Sequence, residues 1–208
     1  MQNVVPAVGA VADRAVSRAL ADRHRAYTEE VRRLVDAGYA VLRRTGGLDP
    51  RVADVVREAG LSNQTFYRHF RGKDELLLAI LDDGQQQLVG YLEHRLTGVE
   101  PGAARVRAWI EGVLEQARNR DAAENTRPFA LASARLADRF PEEMARSREA
   151  VVAPLRAAVT AAGGDPERDT DAVYHLTMGT MNDALLRRVT PSKADVAHVV
   201  DFALAGIS

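Results

Sequence analysis

Residues 51–77 read RVADVVREAGLSNQTFYRHFRGKDELL, and the spacing of apolar and punctuating residues in this stretch decides the fold. Val52, Val55, Val56 and Ala59 recur at helical intervals, so the first piece is a short helix with one apolar face. Gly60 follows, the residue best suited to end a helix in a left-handed conformation, and Leu61 fills the corner. Ser62 is placed to cap a second helix, because its hydroxyl can accept from a free backbone N–H two or three residues on. Phe66 and Phe70 anchor that second helix on one side. Between them and ahead of them stand Asn63, Gln64, Thr65, Tyr67, Arg68 and His69, all able to hydrogen-bond a base edge or a phosphate. Two short helices joined by a tight turn containing glycine form the pattern whose second helix enters the major groove of DNA.

Outward from this stretch, Tyr27, Val31, Leu34, Val35, Gly38, Val41 and Leu42 mark an earlier helix, ending at Gly46 and Gly47. Asp49 is expected to cap the next helix, with Pro50 in its first position. Gly72 leads into a long helix from Lys73 to Leu96, with Gly98 as its stop, which belongs to both halves of the chain. Residues 1–26 show a weaker pattern, Val8, Val11, Ala15, Ala19 and Leu20 interleaved with Arg14, Arg18, Arg23 and Arg25. They read either as an extra or frayed helix or as a basic arm reaching DNA phosphates or the minor groove.

Taken together, the motif order and turn chemistry of Val55–Lys73 resemble the DNA-binding end of the tetracycline-repressor (TetR) family: AG-hydrophobic-S, then T-aromatic-Y-x-H-F, then a small residue before Lys-acid-x-Leu. About fifty residues, Tyr27 to Leu77, carry the resemblance. It implies base contacts from Asn63, Gln64, Thr65 and Tyr67, and phosphate contacts from Ser62, His69 and Lys73. Asn and Gln can pair bidentately with adenine, and a threonine methyl can meet a thymine methyl. Tyr67 has a second reading, as core packed across the helix. Where such proteins often carry a Thr or Ser pair at the start of the helix before the turn, this chain has Pro50 and Arg51, so either Arg51 supplies a charge-assisted phosphate contact instead or the register on DNA differs.

After Pro101 every apolar pattern is helical: Val106–Leu114, Pro128–Phe140, a helix opened by Pro141 and running to Gly163, Asp171–Val189, and Ser192–Ala205. The expected class is all-α, with an N-terminal three-helix helix-turn-helix domain (27–73) after the extension 1–26, and a helical ligand-binding and dimerisation bundle at 74–208. The resemblance implies a ligand cavity, and the residues expected to line it are Trp109, Phe129, Met144, Tyr174, His175, Met178, Met181 and Asn182. With 5% aromatic residues such a cavity would be mostly aliphatic, favouring a hydrophobic or amphipathic small molecule. Gly179, Thr180, Ala184 and Leu185 are the residues expected at a homodimer interface, which would let two heads read a palindromic double-stranded operator.

Bulk properties agree. The net charge of −1 conceals 13 basic and 8 acidic residues through Lys73 against 15 and 21 beyond it, a basic head on an acidic body. The absence of cysteine excludes disulfides and thiolate metal sites and fits a reducing compartment. With neither a basic leader nor a run of about 18 apolar residues, the chain is expected to be cytoplasmic with no membrane span. The leading expectation is a repressor released from DNA by a small effector. A helical-bundle enzyme and an adaptor with a purely architectural helix-turn-helix are the alternatives. The enzyme lacks a phosphate-binding glycine loop, HExxH, a nucleophile elbow and paired Glu-x-x-His, so no catalytic residue, cofactor or metal is expected.

Overall fold

The computed structural model describes residues 9–46 and 49–207, and among these residues it holds nine α-helices and no strand. The helices are α1 (Ala10–Thr45), α2 (Val52–Ala59), α3 (Asn63–His69), α4 (Lys73–Leu96), α5 (Ala103–Arg118), α6 (Arg120–Arg139), α7 (Pro141–Ala161), α8 (Arg168–Arg187) and α9 (Lys193–Gly206). The polypeptide thus forms a three-helix head, α1–α3, joined through α4 to a helical body.

The first helix departs from expectation. Residues 10–26 and the helix expected from Tyr27 are one element of 36 residues, with no break at the proposed boundary. Alanines and arginines favour helix throughout, and no glycine or proline lies between Gly9 and Gly38 to interrupt it. Gly46, at φ 61°, closes the helix by donating its N–H to Leu42 O at 2.9 Å. Val8 and Gly47, assigned roles above, lie outside the described residues.

Four further starts differ, those of α5 at Ala103 and α8 at Arg168 lying three residues ahead of the expected Val106 and Asp171. Arg51, not Asp49, is the N-cap of α2, and its side chain makes no cap bond. Asp49 instead pairs with Lys73 across the head. The helix expected from Pro128 begins at Arg120, because the Asn119 side chain accepts from Ala122 N at 3.1 Å and caps it eight residues earlier. Pro128 sits inside the helix, where it removes one backbone donor. The starts of α3, α4, α7 and α9 agree with their punctuation, α9 with a full capping box between Ser192 and Asp195.

Two apolar clusters organise the molecule. In the head, Leu34 and Val41 of α1, Val55 of α2, Phe66 of α3 and Leu76 and Ile80 of α4 are buried together, and Leu136 of α6 joins them from the body. Burying one such leucine or phenylalanine contributes roughly 1.5–3 kcal/mol. The second cluster holds Trp109, Ile110 and Leu114 of α5 with Leu155, Val173, Leu185 and Val200 of the surrounding helices. Helix α4 contributes to both, and Gly38 lets α1 approach it closely: a Cβ there would collide with Ile80 Cδ1.

Candidate functional site

The turn before α3 is fixed from three directions. Gly60 adopts φ 62°, and its N–H and that of Leu61 reach back to carbonyls of α2. Arg33 of α1 donates to the carbonyls of Ala59 and Gly60 at 2.5 and 3.3 Å, satisfying acceptors that a helix end leaves free. Ser62 Oγ accepts from Thr65 N at 3.1 Å and lies 3.0 Å from Thr65 Oγ1. Phe66 and Phe70 are buried, so the phase of α3 is set and its opposite face looks outward.

That outward face carries Asn63, Gln64 and Tyr67. Tyr67 is 60% exposed and touches only Phe66 among aromatic rings, edge-on at 5.2 Å, which excludes its reading as core. Arg51 is exposed beside the first turn of α2, with no ionic partner among the described residues. These four side chains have their polar ends uncommitted.

The remaining expected contacts are already engaged. Arg68 donates to both Glu30 oxygens at 3.2 and 3.3 Å and sits 5.3 Å from the centroid of the Tyr27 ring. His69 Nε2 lies 2.6 Å from Glu30 Oε2, its ring stands edge-on to Tyr27, and its side chain is only 8% exposed. His69 is therefore a clamp between α3 and α1, which corrects its assignment as a side-chain phosphate contact. Burial of its ring in the α1–α3 junction is the reason. Lys73 pairs with Asp49, and this ammonium holds the Asp49 carboxyl below its ordinary pKa. Glu30 and Arg33 escaped the sequence reading because their partners lie 26 to 39 residues away. Their spacing one turn apart on α1 was the sole local hint.

The body contains a cavity of about 1180 Å³. Phe129, Met144, Tyr174, His175, Met178, Met181 and Asn182 line it together. Trp109 does not. It is fully buried behind the wall, donating its indole N–H to Val151 O at 3.1 Å, with its ring centre 6.5 Å from that of Tyr174. A residue of that size at the crossing of α5 and α7 is consumed by core packing. Arg148 stacks 4.6 Å over Tyr174 and pairs with Asp171 at 2.8 Å; burial raises the Tyr174 pKa, and Arg148 partly offsets that.

Helix α1 reaches the same cavity with Asp36, Tyr39 and Arg43. Tyr39 donates its hydroxyl to Ile80 O of α4 at 2.9 Å and meets Phe129 of α6 edge-on at 5.9 Å. Its pKa is raised, first by burial and then by the neighbouring Asp83. Gly84 makes room for it, since a Cβ there would lie 2.8 Å from the hydroxyl. The head's contribution was not legible locally, because Tyr39 sits beside the apolar stripe of α1 rather than on it.

Of the expected dimer residues, Leu185 is 1% exposed and Ala184 is buried, both within the core of their own chain. Val173, Thr177, Met181 and Ala184 set the inward phase of α8, and Leu185 shares it. Gly179 lines the cavity and Thr180 donates its hydroxyl to Leu176 O at 2.8 Å. The exposed apolar side chains nearby are Leu186, Val189 and Phe202, the last 65% exposed. Among the described residues no helix is long and apolar enough to cross a membrane.

Residues 34–80 match the family model for bacterial regulatory proteins, tetR family. The HTH-type transcriptional regulator BetI of Escherichia coli O17:K52:H18 (strain UMN026 / ExPEC) is 31% identical over 94 residues, 44% of this chain and 48% of that protein. BetI of Brucella anthropi is 33% identical over 79 residues, covering 38% and 41%. The chain spans about half the length of these curated relatives. Among solved structures, a TetR transcription regulator from Haloarcula marismortui aligns with TM-score 0.67 at 20% identity, over 85% of this chain and 95% of that one. The transcriptional regulator FadR from Bacillus subtilis, in complex with stearoyl-CoA, aligns with TM-score 0.68 at 13% identity, over 85% and 98%. At these identities the two structures establish the shared fold of head and body, and the segment that matches the tetR family model, residues 34–80, coincides with the helix-turn-helix of α2 and α3 and the helices packed against it.

Proposed function

We propose that this chain is a DNA-binding transcriptional regulator, acting as a homodimeric repressor that leaves a palindromic operator when a small amphipathic molecule occupies the body cavity. The observation that carries the DNA-binding part is the outward face of α3, where Asn63, Gln64 and Tyr67 stand free while Phe66 and Phe70 lock the helix from behind. Bidentate-capable side chains on a rigid short helix are what direct readout of base edges requires. One head offers few such contacts, so a twofold pair reading half-sites about 34–36 Å apart, or a multiple, supplies the affinity. Leu186 and Phe202, exposed on α8 and α9, are the apolar side chains available to join two copies.

Release is supported by the shared cavity wall. An occupant would touch Tyr39 of the head and Phe129 and Met178 of the body at once, so its binding free energy can depend on the angle between them. A coupling of about 1–3 kcal/mol, or roughly 5- to 150-fold in DNA affinity, is typical of such linkage. The test is fluorescence anisotropy with duplexes tiled across the region upstream of the chain's own gene. Sequence-selective binding that is cut by unlabelled specific duplex is the expected result. Equal binding to all duplexes, or none, rejects the reading.

A further inference from the structure

The polar groups of the cavity wall restrict what it can hold. Gln116 of α5, Asn125 and Thr126 of α6 and Asn182 of α8 all line it. Their side chains have no hydrogen-bond partner among the described residues. Gln85 of α4 adds a buried amide oxygen that accepts no hydrogen bond. Each carboxamide brings one acceptor carbonyl and an amino group with two donor hydrogens, none carrying net charge. Leaving the buried Gln85 oxygen unpaired is costly, and a complementary ligand removes that cost while also pairing the other groups, which solvent can reach.

Three of these groups are held in place. Arg127 of α6 donates Nε to Leu185 O of α8 at 2.7 Å, tying the two helices together one residue from Thr126 and three from Asn182. Asn125, Thr126 and Asn182 therefore flank one fixed crossing, next to Phe129 and Met178. The wall thus offers amides and a hydroxyl beside an aromatic and thioether surface.

The charged groups of the wall cancel. Asp36 and Asp83 face Arg43 and Arg148, two of each sign. Three are committed: Arg148 to Asp171, Asp36 to Arg32 at 3.5 Å, and Asp83 to Gln87 Nε2 at 2.7 Å. Arg43 is exposed to solvent. The four charges sum to zero, so a charged ligand group carried inside would gain no net attraction from the wall and would lose its hydration.

We propose that the cavity takes a neutral, oxygen-rich amphipathic molecule, a ring system bearing hydroxyl and carbonyl groups, in preference to a fatty carboxylate or a lipophilic cation. This rests on the reading of the cavity as the effector site. Asn125, Thr126 and Asn182 would pair with the ligand's oxygens, Gln85 would accept from one of its hydroxyls, and Phe129, Tyr174 and Met178 would cover its apolar body.

The chain's single tryptophan, packed behind Tyr174, reports on occupancy. Three probes are titrated by calorimetry and by Trp109 fluorescence: the neutral steroid hydrocortisone, palmitate, and the cation crystal violet. Hydrocortisone is expected to bind about tenfold or more tightly than either charged probe. The double variant Asn125→Leu/Asn182→Leu is expected to lose about tenfold of that affinity at an unchanged circular-dichroism melting temperature. If the double variant does not fold, Asn182→Asp, which keeps the volume and adds a charge, is expected to weaken hydrocortisone likewise. Equal or tighter binding of palmitate or crystal violet, no binding of hydrocortisone, or unchanged affinity in the folded variants overturns the proposal. Anisotropy on duplex DNA is run in parallel. Loss of the DNA-binding reading there leaves the ligand result standing, and the reverse also holds.

Discussion

Tyr67 and Arg51 separate two kinds of contact at the level of single residues. Tyr67 projects from a helix whose phase is held by Phe66, so removing its ring leaves the head core intact. Tyr67→Ala is expected to weaken binding to the specific duplex by about 1–3 kcal/mol, with a melting temperature within a degree or two of the parent. Unchanged affinity in anisotropy removes it from the interface. Arg51 lies next to the first-turn N–H groups of α2 and has no ionic partner among the described residues, a combination suited to a phosphate. Arg51→Ala is expected to weaken all duplexes alike and to lower the slope of log affinity against log salt by about one. A change confined to one sequence contradicts the phosphate role. His69, by contrast, shows how a residue polar enough for DNA is diverted: Glu30 takes its ring nitrogen and Tyr27 covers its face.

The turn between α2 and α3 is an element whose geometry hangs on one backbone conformation. Gly60 has φ 62° and ψ 37°, and a Cβ added there would stand 3.1 Å from Arg33 Nη2. The guanidinium end can shift, but shifting it loosens its bonds to the Ala59 and Gly60 carbonyls. Gly60→Ala is expected to cost about 1–2 kcal/mol in urea unfolding, from left-handed strain plus the weakened clamp. A neutral result would mean the turn relaxes freely. Helix α8 shows the complementary point, that an element's phase decides its partners. Its buried stripe turns Leu185 inward and leaves Leu186 facing solvent, so the proposed dimer surface is one residue removed from the expected one.

Across the whole molecule the cavity matters most, because it is built from both head and body. Tyr39 bonds Ile80 O and packs on Phe129, placing a head residue in the wall that an effector would touch. Tyr39→Phe removes one buried hydrogen bond and keeps the ring. It is expected to lower stability by about 1 kcal/mol and to leave the DNA affinity of the ligand-free protein within a few fold, as read by unfolding and anisotropy. A large loss of ligand-free DNA binding would instead make the bond part of the DNA-competent state. For assembly, Phe202→Glu puts a charge on the exposed face of α9 that is proposed to form the interface. Sedimentation is expected to show a shift from dimer to monomer, and a wild type already monomeric at micromolar concentration defeats the homodimer.

Residues 51–77 determined a great deal by themselves. Apolar spacing, Gly60, the Ser62 cap and the two phenylalanines are local signals acting over three to ten residues, and the backbone obeys them with little help from afar. The same holds for α4, whose bounds Lys73 and Leu96 agree with the punctuation, and for most of the cavity stripe on α8. What only the tertiary structure decided are pairings across many residues: Arg33 with the turn carbonyls, Glu30 with His69, Lys73 with Asp49, and Tyr39 with Ile80 O. A side chain's type sets what it can bond, but whether it faces solvent, cavity or core depends on helices brought together from elsewhere in the chain. Trp109 and Leu185 were drawn into the core by that packing, and His69 into a clamp, because burial and a nearby partner outweigh the intrinsic polarity or size that made each look like a site.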